Sequence, residues 1–143
     1  MNNPGEVIVR GSAAGFAQEI TAGSHQLRAD EPLSAGGTET GPTPYDLLLA
    51  ALGSCTSMTL AVYARRKQWR LDSVTVRLRH SRVHAEDCAA SETHDAKLTV
   101  IDREIELDGT LDESQRARLL GIANRCPVHL TLASRIDVRT RLV

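Results

Sequence analysis

Hydrophobic and polar residues alternate weakly in three short runs at the start of the chain. The runs comprise Val7 with Val9, residues 16–21 and residues 25–29, and glycines divide them. Short alternating runs with glycines between them predict an antiparallel meander. The residues that follow, 30–42, are rich in Gly and Pro, which predicts a loop.

The longest apolar stretch of the chain begins after this loop and predicts a helix from Pro44 to about Lys67. Thr43 is the predicted N-cap, because Pro44 suits the first helical position. Asp46 stands where the acid of a capping box belongs, and we expect it to cap the helix rather than to serve a site.

Positions 47–64 of this helix carry no charged residue over 18 positions, which is near the lower length limit for a membrane span. The centre of the stretch, around Cys55, is too polar for lipid, so no membrane partner is predicted. A helix buried on nearly all sides fits better. One small domain can hardly bury such a helix alone, which indicates a dimer.

Alternation returns after the helix in two runs that predict a hairpin. Val74, Val76 and Leu78 alternate with polar residues, and the run extends towards His84. Residues 98–107 alternate again, with Ile101, Ile105 and Leu107 on one face.

The last part of the chain predicts one more helix and a closing strand. Asp112 with Gln115 opens the helix, and Pro127 stops or kinks it at Cys126, where a short new turn can begin. Residues 135–143 alternate and predict the strand. The 143 residues show no change of composition, so we expect a single α+β domain over residues 1–143.

Charge and composition exclude some partners. The net charge is −1 and aromatic residues make up 3% of the chain, so no nucleic acid partner is predicted. The first residues lack a basic segment followed by an apolar one, so we expect a cytoplasmic protein.

Three cysteines, Cys55, Cys88 and Cys126, cannot all pair within one chain, and a reducing compartment favours a transient disulfide over a structural one. A helical turn that begins at Pro127 would direct its free amides at Cys126, with Arg125 adjacent and His129 within a turn, which favours a thiolate at Cys126. The alternative is that Cys55 and Cys126 are small core residues.

A metal site is the weaker possibility. His80 and His84 would share a strand face, and Cys88 or Asp87 could complete a zinc shell, but the spacing is not that of usual zinc ligands. We therefore predict no metal and no bound cofactor.

Two motifs resemble a known family. Residues 41–56 read GPTPYDLLLAALGSCT and residues 125–129 read RCPVH, about 70 residues apart. This pattern resembles the OsmC/Ohr family of osmotically inducible and organic hydroperoxide resistance proteins, in its OsmC-like branch. The resemblance implies an intertwined homodimer in which two curved antiparallel sheets surround long central helices.

The resemblance also implies an activity, the reduction of organic hydroperoxides. Cys55 would attack the peroxide, Cys126 would resolve the sulfenic acid as a disulfide, and an external dithiol would reopen it. In the family this reductant is a lipoyl group or a thioredoxin-like protein. We follow the family in assigning the attack to Cys55, although local reasoning favours a thiolate at Cys126.

The chain departs from the family pattern at one position. Tyr45 stands where the peroxidases of the family have a glutamate, which pairs with an arginine beside the thiolate. Arg28 is our candidate for that arginine, and an exposed strand residue is the alternative. The Tyr45 substitution favours a second hypothesis, a non-catalytic or redox-sensing dimer that holds a small apolar or electrophilic ligand in a pocket lined by Leu48, Leu52 and Val128.

Overall fold

The computed structural model describes residues 4–84 and 97–143. The chain divides into two compact units, one ending at Leu48 and the other beginning at Leu49. The boundary lies inside the long helix, so each unit is described by itself. A single domain over residues 1–143 stays a prediction.

The first unit contains the predicted antiparallel meander. Strands β1 (Val7–Gly11), β2 (Gln18–Ala22) and β3 (His25–Ala29) form one sheet in the order β1-β2-β3. Gly23 has a φ of 61° in the turn between β2 and β3, a conformation that favours glycine. The predicted loop follows, with a short 3-10 turn at Leu33–Ala35 as its one regular element.

Asp30 organises this loop from a buried position, with a relative exposure of 1%. Its carboxylate accepts from the hydroxyls of Thr38 and Thr40 at 2.6 and 2.7 Å. The backbone amides of Glu31 and Thr40 donate to it as well, at 2.8 and 3.1 Å. Hydrogen bonds from Thr38 and Thr40 outweigh the effect of burial and hold the pKa of Asp30 well below its usual range.

The long helix α1 (Pro44–Lys67) has the bounds that the sequence predicts. Its capping box is confirmed, since the Thr43 hydroxyl accepts from the Asp46 amide at 3.1 Å and the Asp46 carboxylate accepts from the Thr43 amide at 3.0 Å. Among the described residues, α1 has one buried face. That face comprises Leu49, Leu52, Gly53, Thr56, Leu60 and Ala64.

The predicted hairpin is confirmed as strands β4 (Arg70–His84) and β5 (Lys97–Thr110), which pair antiparallel. Its side chains alternate between half-buried and exposed, as the pattern of Val74, Val76 and Leu78 indicates. α1 comes close to β4 at Gly53, where an added Cβ would lie 2.8 Å from Leu78 Cδ1.

Helix α2 (Glu113–Ala123) begins at the predicted capping box, in which Asp112 and Gln115 bond reciprocally at 2.7 and 2.9 Å. The chain then breaks, and α3 (Pro127–Leu132) starts at Pro127, as predicted. The core of this unit is built where α1 meets α2. It comprises Leu60, Leu119, Ile122 and Ala123.

The predicted closing strand is wrong for this chain. Residues 135–143 form neither helix nor strand, and Ile136 and Val138 are 55% and 78% exposed. Alternation shows only that a segment suits a sheet, whereas a strand exists only when a neighbouring strand takes up its backbone hydrogen bonds.

Within the described part of the chain, α1 alone is long and apolar enough to cross a membrane. Core helices of soluble proteins pass the same test of length and composition, so the observation is weak evidence for a span. The buried face of α1 contributes Leu60 to the core.

We predict that Asp30→Asn lowers the stability of the protein at neutral pH, because the amide cannot accept from all the donors that surround the carboxylate. A carboxyl whose pKa is lowered by folding adds stability above its unfolded pKa of about 3.9, and this stability is lost as the pH falls. Urea denaturation of wild type and variant between neutral and acid pH measures the effect. The difference in free energy of unfolding between wild type and Asp30→Asn should become smaller on acidification. Asp137→Asn, which changes an exposed ion pair, is the control.

Candidate functional site

Cys55 lies on α1 beside an apolar cavity of the second unit. The thiol is partly exposed. The cavity has a volume of about 590 Å³, and Cys55 lines it together with Ala51, Met58, Val62, Ile122 and Val128. A small apolar molecule in this cavity would therefore meet the Cys55 sulfur directly.

Cys126 lies in the break between α2 and α3 and is completely buried, with a relative exposure of 0%. It is the N-cap of α3, and the backbone amide of His129 donates to its Sγ at 3.3 Å. Pro127 makes this geometry accessible, because it restricts the preceding residue to extended backbone and fits the first helical position. Cys126 accordingly has φ −64° and ψ 140°.

The fold brings the two thiols together. The Cys55 side chain lies near enough to Cys126 to be among the groups that lower the pKa of the Cys126 thiol. The Thr56 hydroxyl is also close, with Oγ1 at 3.8 Å from Cys126 Sγ. Both cysteines are free in this structure.

Arg103 on β5 supplies the positive charge of the site. Its Nη1 donates to Thr56 Oγ1 at 3.1 Å and to the Ala123 carbonyl at 3.4 Å. Its Nη2 donates to Asn124 Oδ1 at 2.8 Å and contacts His129 Nδ1 at 3.3 Å. All four partners are neutral groups or, for His129, a ring nitrogen that accepts when neutral.

These neighbours favour the thiolate form of Cys126. Burial raises the pKa of its thiol, but the His129 amide, Thr56, Cys55 and the charge of Arg103 together lower that pKa below its ordinary value. The predicted contribution of the His129 amide is found. The cation that contributes is Arg103, which was not predicted, and not the predicted Arg125.

A signal for Arg103 is present in the sequence. Ile101, Ile105 and Leu107 mark the inward face of β5, and strict alternation places residue 103 on that same face. A charged residue at an inward position has to find partners, so such a position is a candidate for function.

The other residues singled out from the sequence lie elsewhere. Arg28 is on β3 in the first unit, so its role beside Cys55 stays a prediction. Asp46 caps α1, and Tyr45 lies in the first turn of that helix. His80 is on β4. Asp87, Cys88 and the side chain of His84 lie outside the described residues, so the zinc alternative stays untested there.

A second cavity of the same unit, of about 450 Å³, is lined by Leu52, Arg103, Leu120, Asn124 and His129. Of the predicted ligand pocket, Val128 lines the Cys55 cavity and Leu52 lines the second cavity, while Leu48 belongs to the first unit. The pocket as a whole, which was predicted for a dimer, stays a prediction.

Comparison with known proteins identifies the relatives of the chain. Residues 36–141 match the protein family described as OsmC-like protein. No curated protein sequence matches the chain.

Several solved structures share the fold. An OsmC-like protein from Mycoplasma pneumoniae superimposes with a TM-score of 0.72 at 18% identity, over 93% of this chain and 89% of that one. An organic hydroperoxide resistance protein OsmC from Legionella pneumophila has a TM-score of 0.65 at 18% identity, over 94% and 92%. The organic hydroperoxide resistance protein OhrB of Bacillus subtilis has a TM-score of 0.62 at 22% identity, over 94% and 93%.

We predict that Cys126→Ala is less stable than Cys126→Ser by about 1 kcal/mol, because serine keeps an acceptor for the His129 amide at the N-cap and alanine does not. Thermal and urea denaturation of the two variants under reducing conditions test this. Equal stability of the two variants would show that the side chain of residue 126 does not act as a cap.

Proposed function

The chain belongs to the OsmC-like family, and from that premise we propose that it reduces organic hydroperoxides with Cys55 and Cys126. The observation that carries the proposal is the proximity of two free thiols, of which Cys55 borders an apolar cavity. Two structural neighbours, from Legionella pneumophila and Bacillus subtilis, are described as organic hydroperoxide resistance proteins, which supports the same class of reaction.

Accessibility supports a division of roles between the two thiols. Cys55 lines the cavity and is partly exposed, whereas Cys126 is completely buried. A peroxide that enters the cavity therefore reaches Cys55 first. We assign the attack on the peroxide to Cys55 and the second step to Cys126.

The first step of the proposed reaction takes place at Cys55. The Cys55 thiol gives its proton to solvent, and the thiolate attacks one peroxide oxygen, so that the O–O bond breaks. The leaving alkoxide takes up a proton from solvent and departs as an alcohol, and Cys55 becomes a sulfenic acid.

The second step closes a disulfide. The Cys126 thiolate attacks the Cys55 sulfur, the S–O bond breaks, and hydroxide leaves and is protonated to water. The two thiols have then supplied both electrons that reduce the peroxide. An external dithiol returns them by thiol–disulfide exchange, and a lipoyl group or a thioredoxin-like protein fits this requirement.

The proposal includes a homodimer. The side of α1 opposite its buried face exposes apolar residues in this chain, with Met58 67% and Val62 36% exposed. The alternating segment 135–143 also lies outside any described strand. An intertwined homodimer would cover the exposed apolar side of α1 and would offer segment 135–143 a neighbouring strand.

We predict that one equivalent of an organic hydroperoxide consumes two thiols per chain in the wild type within a single turnover. Cys55→Ser should abolish this loss, because no thiol then faces the cavity. Cys126→Ser should stop the reaction at a sulfenic acid on Cys55, which a sulfenic-acid-specific reagent traps and peptide mass spectrometry locates.

The matched control for this experiment is Cys88→Ser, which removes the third cysteine and should leave the two-thiol loss unchanged. Peroxide-dependent thiol loss that persists in Cys55→Ser would contradict the proposal. Peroxide that leaves both thiols of the wild type reduced would favour the alternative, a dimer that binds a ligand without turnover.

We predict that Ile136→Asp together with Val138→Asp weakens the dimer at least tenfold, because each change places a charge on the apolar side of segment 135–143. Light scattering or sedimentation across a dilution series measures the dissociation. Arg139→Gln, in the same segment at an exposed ion pair, is the control. A monomeric wild type, or a double variant that dissociates like the wild type, would contradict the homodimer.

A further inference from the structure

Arg103 has an unusual set of neighbours for a partly buried cation. Three exposed ion pairs are found within the described residues, and none of them includes Arg103. Its partners are instead the Thr56 hydroxyl, the Ala123 carbonyl, the Asn124 amide and the His129 ring. The charge of Arg103 is thus not neutralised by a contacting carboxylate in the part of the chain that the structure describes.

The nearest group able to complement this charge is the thiol pair. Thr56 Oγ1 accepts from Arg103 at 3.1 Å and lies 3.8 Å from Cys126 Sγ, so a single oxygen separates the guanidinium from the sulfur. His129 provides a second link, because its ring contacts Arg103 and its amide donates to Cys126.

We propose that Arg103 is the positioning residue that holds Cys126 as a thiolate, acting through the Thr56 hydroxyl. This role differs from the one predicted for Arg28, which was to pair with the thiolate of Cys55, and Arg103 comes from β5. The thiolate it stabilises is the one that closes the disulfide, so Arg103 governs the second step of the proposed reaction.

The hydroxyl of Thr56 explains how the effect is transmitted. A hydroxyl has one proton, and in this structure it donates to the Leu52 carbonyl at 2.7 Å, so its oxygen is free to accept from Arg103. The contact with Cys126 allows either atom to donate. When Cys126 loses its proton, the Thr56 proton can turn from Leu52 to the sulfur, while Arg103 keeps the oxygen in place.

Three titratable or charged groups influence Cys126 among the described residues. Cys55 approaches from α1, Arg103 from β5 and His129 from α3. Arg103 is the one permanent cation of this set, because guanidinium stays protonated at any pH at which the protein is folded. A test of Arg103 therefore has to separate the effect of its charge on Cys126 from the effects of Cys55 and His129.

The test is a titration of Cys126 as the only thiol of the chain. In a Cys55→Ser, Cys88→Ser background, ultraviolet absorbance of the thiolate against pH reports Cys126 alone. Adding Arg103→Gln should lower the thiolate fraction roughly tenfold at a fixed pH below the titration midpoint, because a nearby opposite charge favours the charged form. Arg103→Lys keeps a charge, so its thiolate fraction should lie between that of the background and that of Arg103→Gln.

Controls separate this effect from a loss of structure. Arg79→Gln removes an exposed arginine from the neighbouring strand and should leave the titration unchanged. Circular dichroism and thermal denaturation establish that each variant is folded. A folded Arg103→Gln variant that titrates like the background would overturn the inference.

The role of Thr56 has its own pair of variants. Thr56→Val removes the hydroxyl at nearly constant shape, and Thr56→Ser keeps it. We expect Thr56→Val, and not Thr56→Ser, to lower the thiolate fraction of Cys126. Combining Thr56→Val with Arg103→Gln should add little to either change alone, because both break one path. Fully additive effects would overturn transmission through Thr56.

The inference rests on the proposed function only for its kinetic consequence. In the otherwise native chain, Arg103→Gln should leave sulfenic acid formation on Cys55 intact and slow disulfide closure roughly tenfold, in proportion to the lost thiolate. If wild-type chain shows no reaction with peroxide while the titration still shifts, the proposed function fails and the role of Arg103 in the charge of Cys126 stands.

Discussion

The thiol pair depends on the packing of α1 against α2. Leu60 of α1 and Leu119, Ile122 and Ala123 of α2 form one buried cluster, which half-buried residues of the hairpin cover. Thr56 is one helical turn before Leu60, and Cys126 is three residues after Ala123. The same apolar contact that stabilises the unit therefore fixes the distance between the two cysteines, although neither of them forms part of the cluster.

The packing creates two different environments for two chemically identical groups. Cys55 borders an apolar cavity, and Cys126 is enclosed by a helix N-terminus, a hydroxyl and a guanidinium. Burial alone would keep Cys126 protonated, since charge is costly in an apolar surrounding. The hydrogen bonds have to outweigh that cost, and a break between two helices is a place where backbone amides are free to do so.

Much of the local structure could be predicted from the sequence, because the signals for it are local. The capping boxes at Thr43 and Asp112 place the starts of α1 and α2, Pro127 places the break, and alternation places β4 and β5. The strand predicted at residues 135–143 failed because alternation gives no information about a neighbour. The contact of Cys55 with Cys126 was implied by family resemblance alone, since tertiary packing over long sequence separations leaves no spacing signal.

Periodicity predicts the position of Arg103 in the sheet but not its partners. Its inward position on β5 follows from alternation, yet the partners that make the position tolerable come from α1, the end of α2 and α3. A carboxylate among those partners would have tied up the charge in a structural ion pair. Neutral partners position the guanidinium and leave its charge available to an anion at Cys126, which lies beyond the Thr56 hydroxyl.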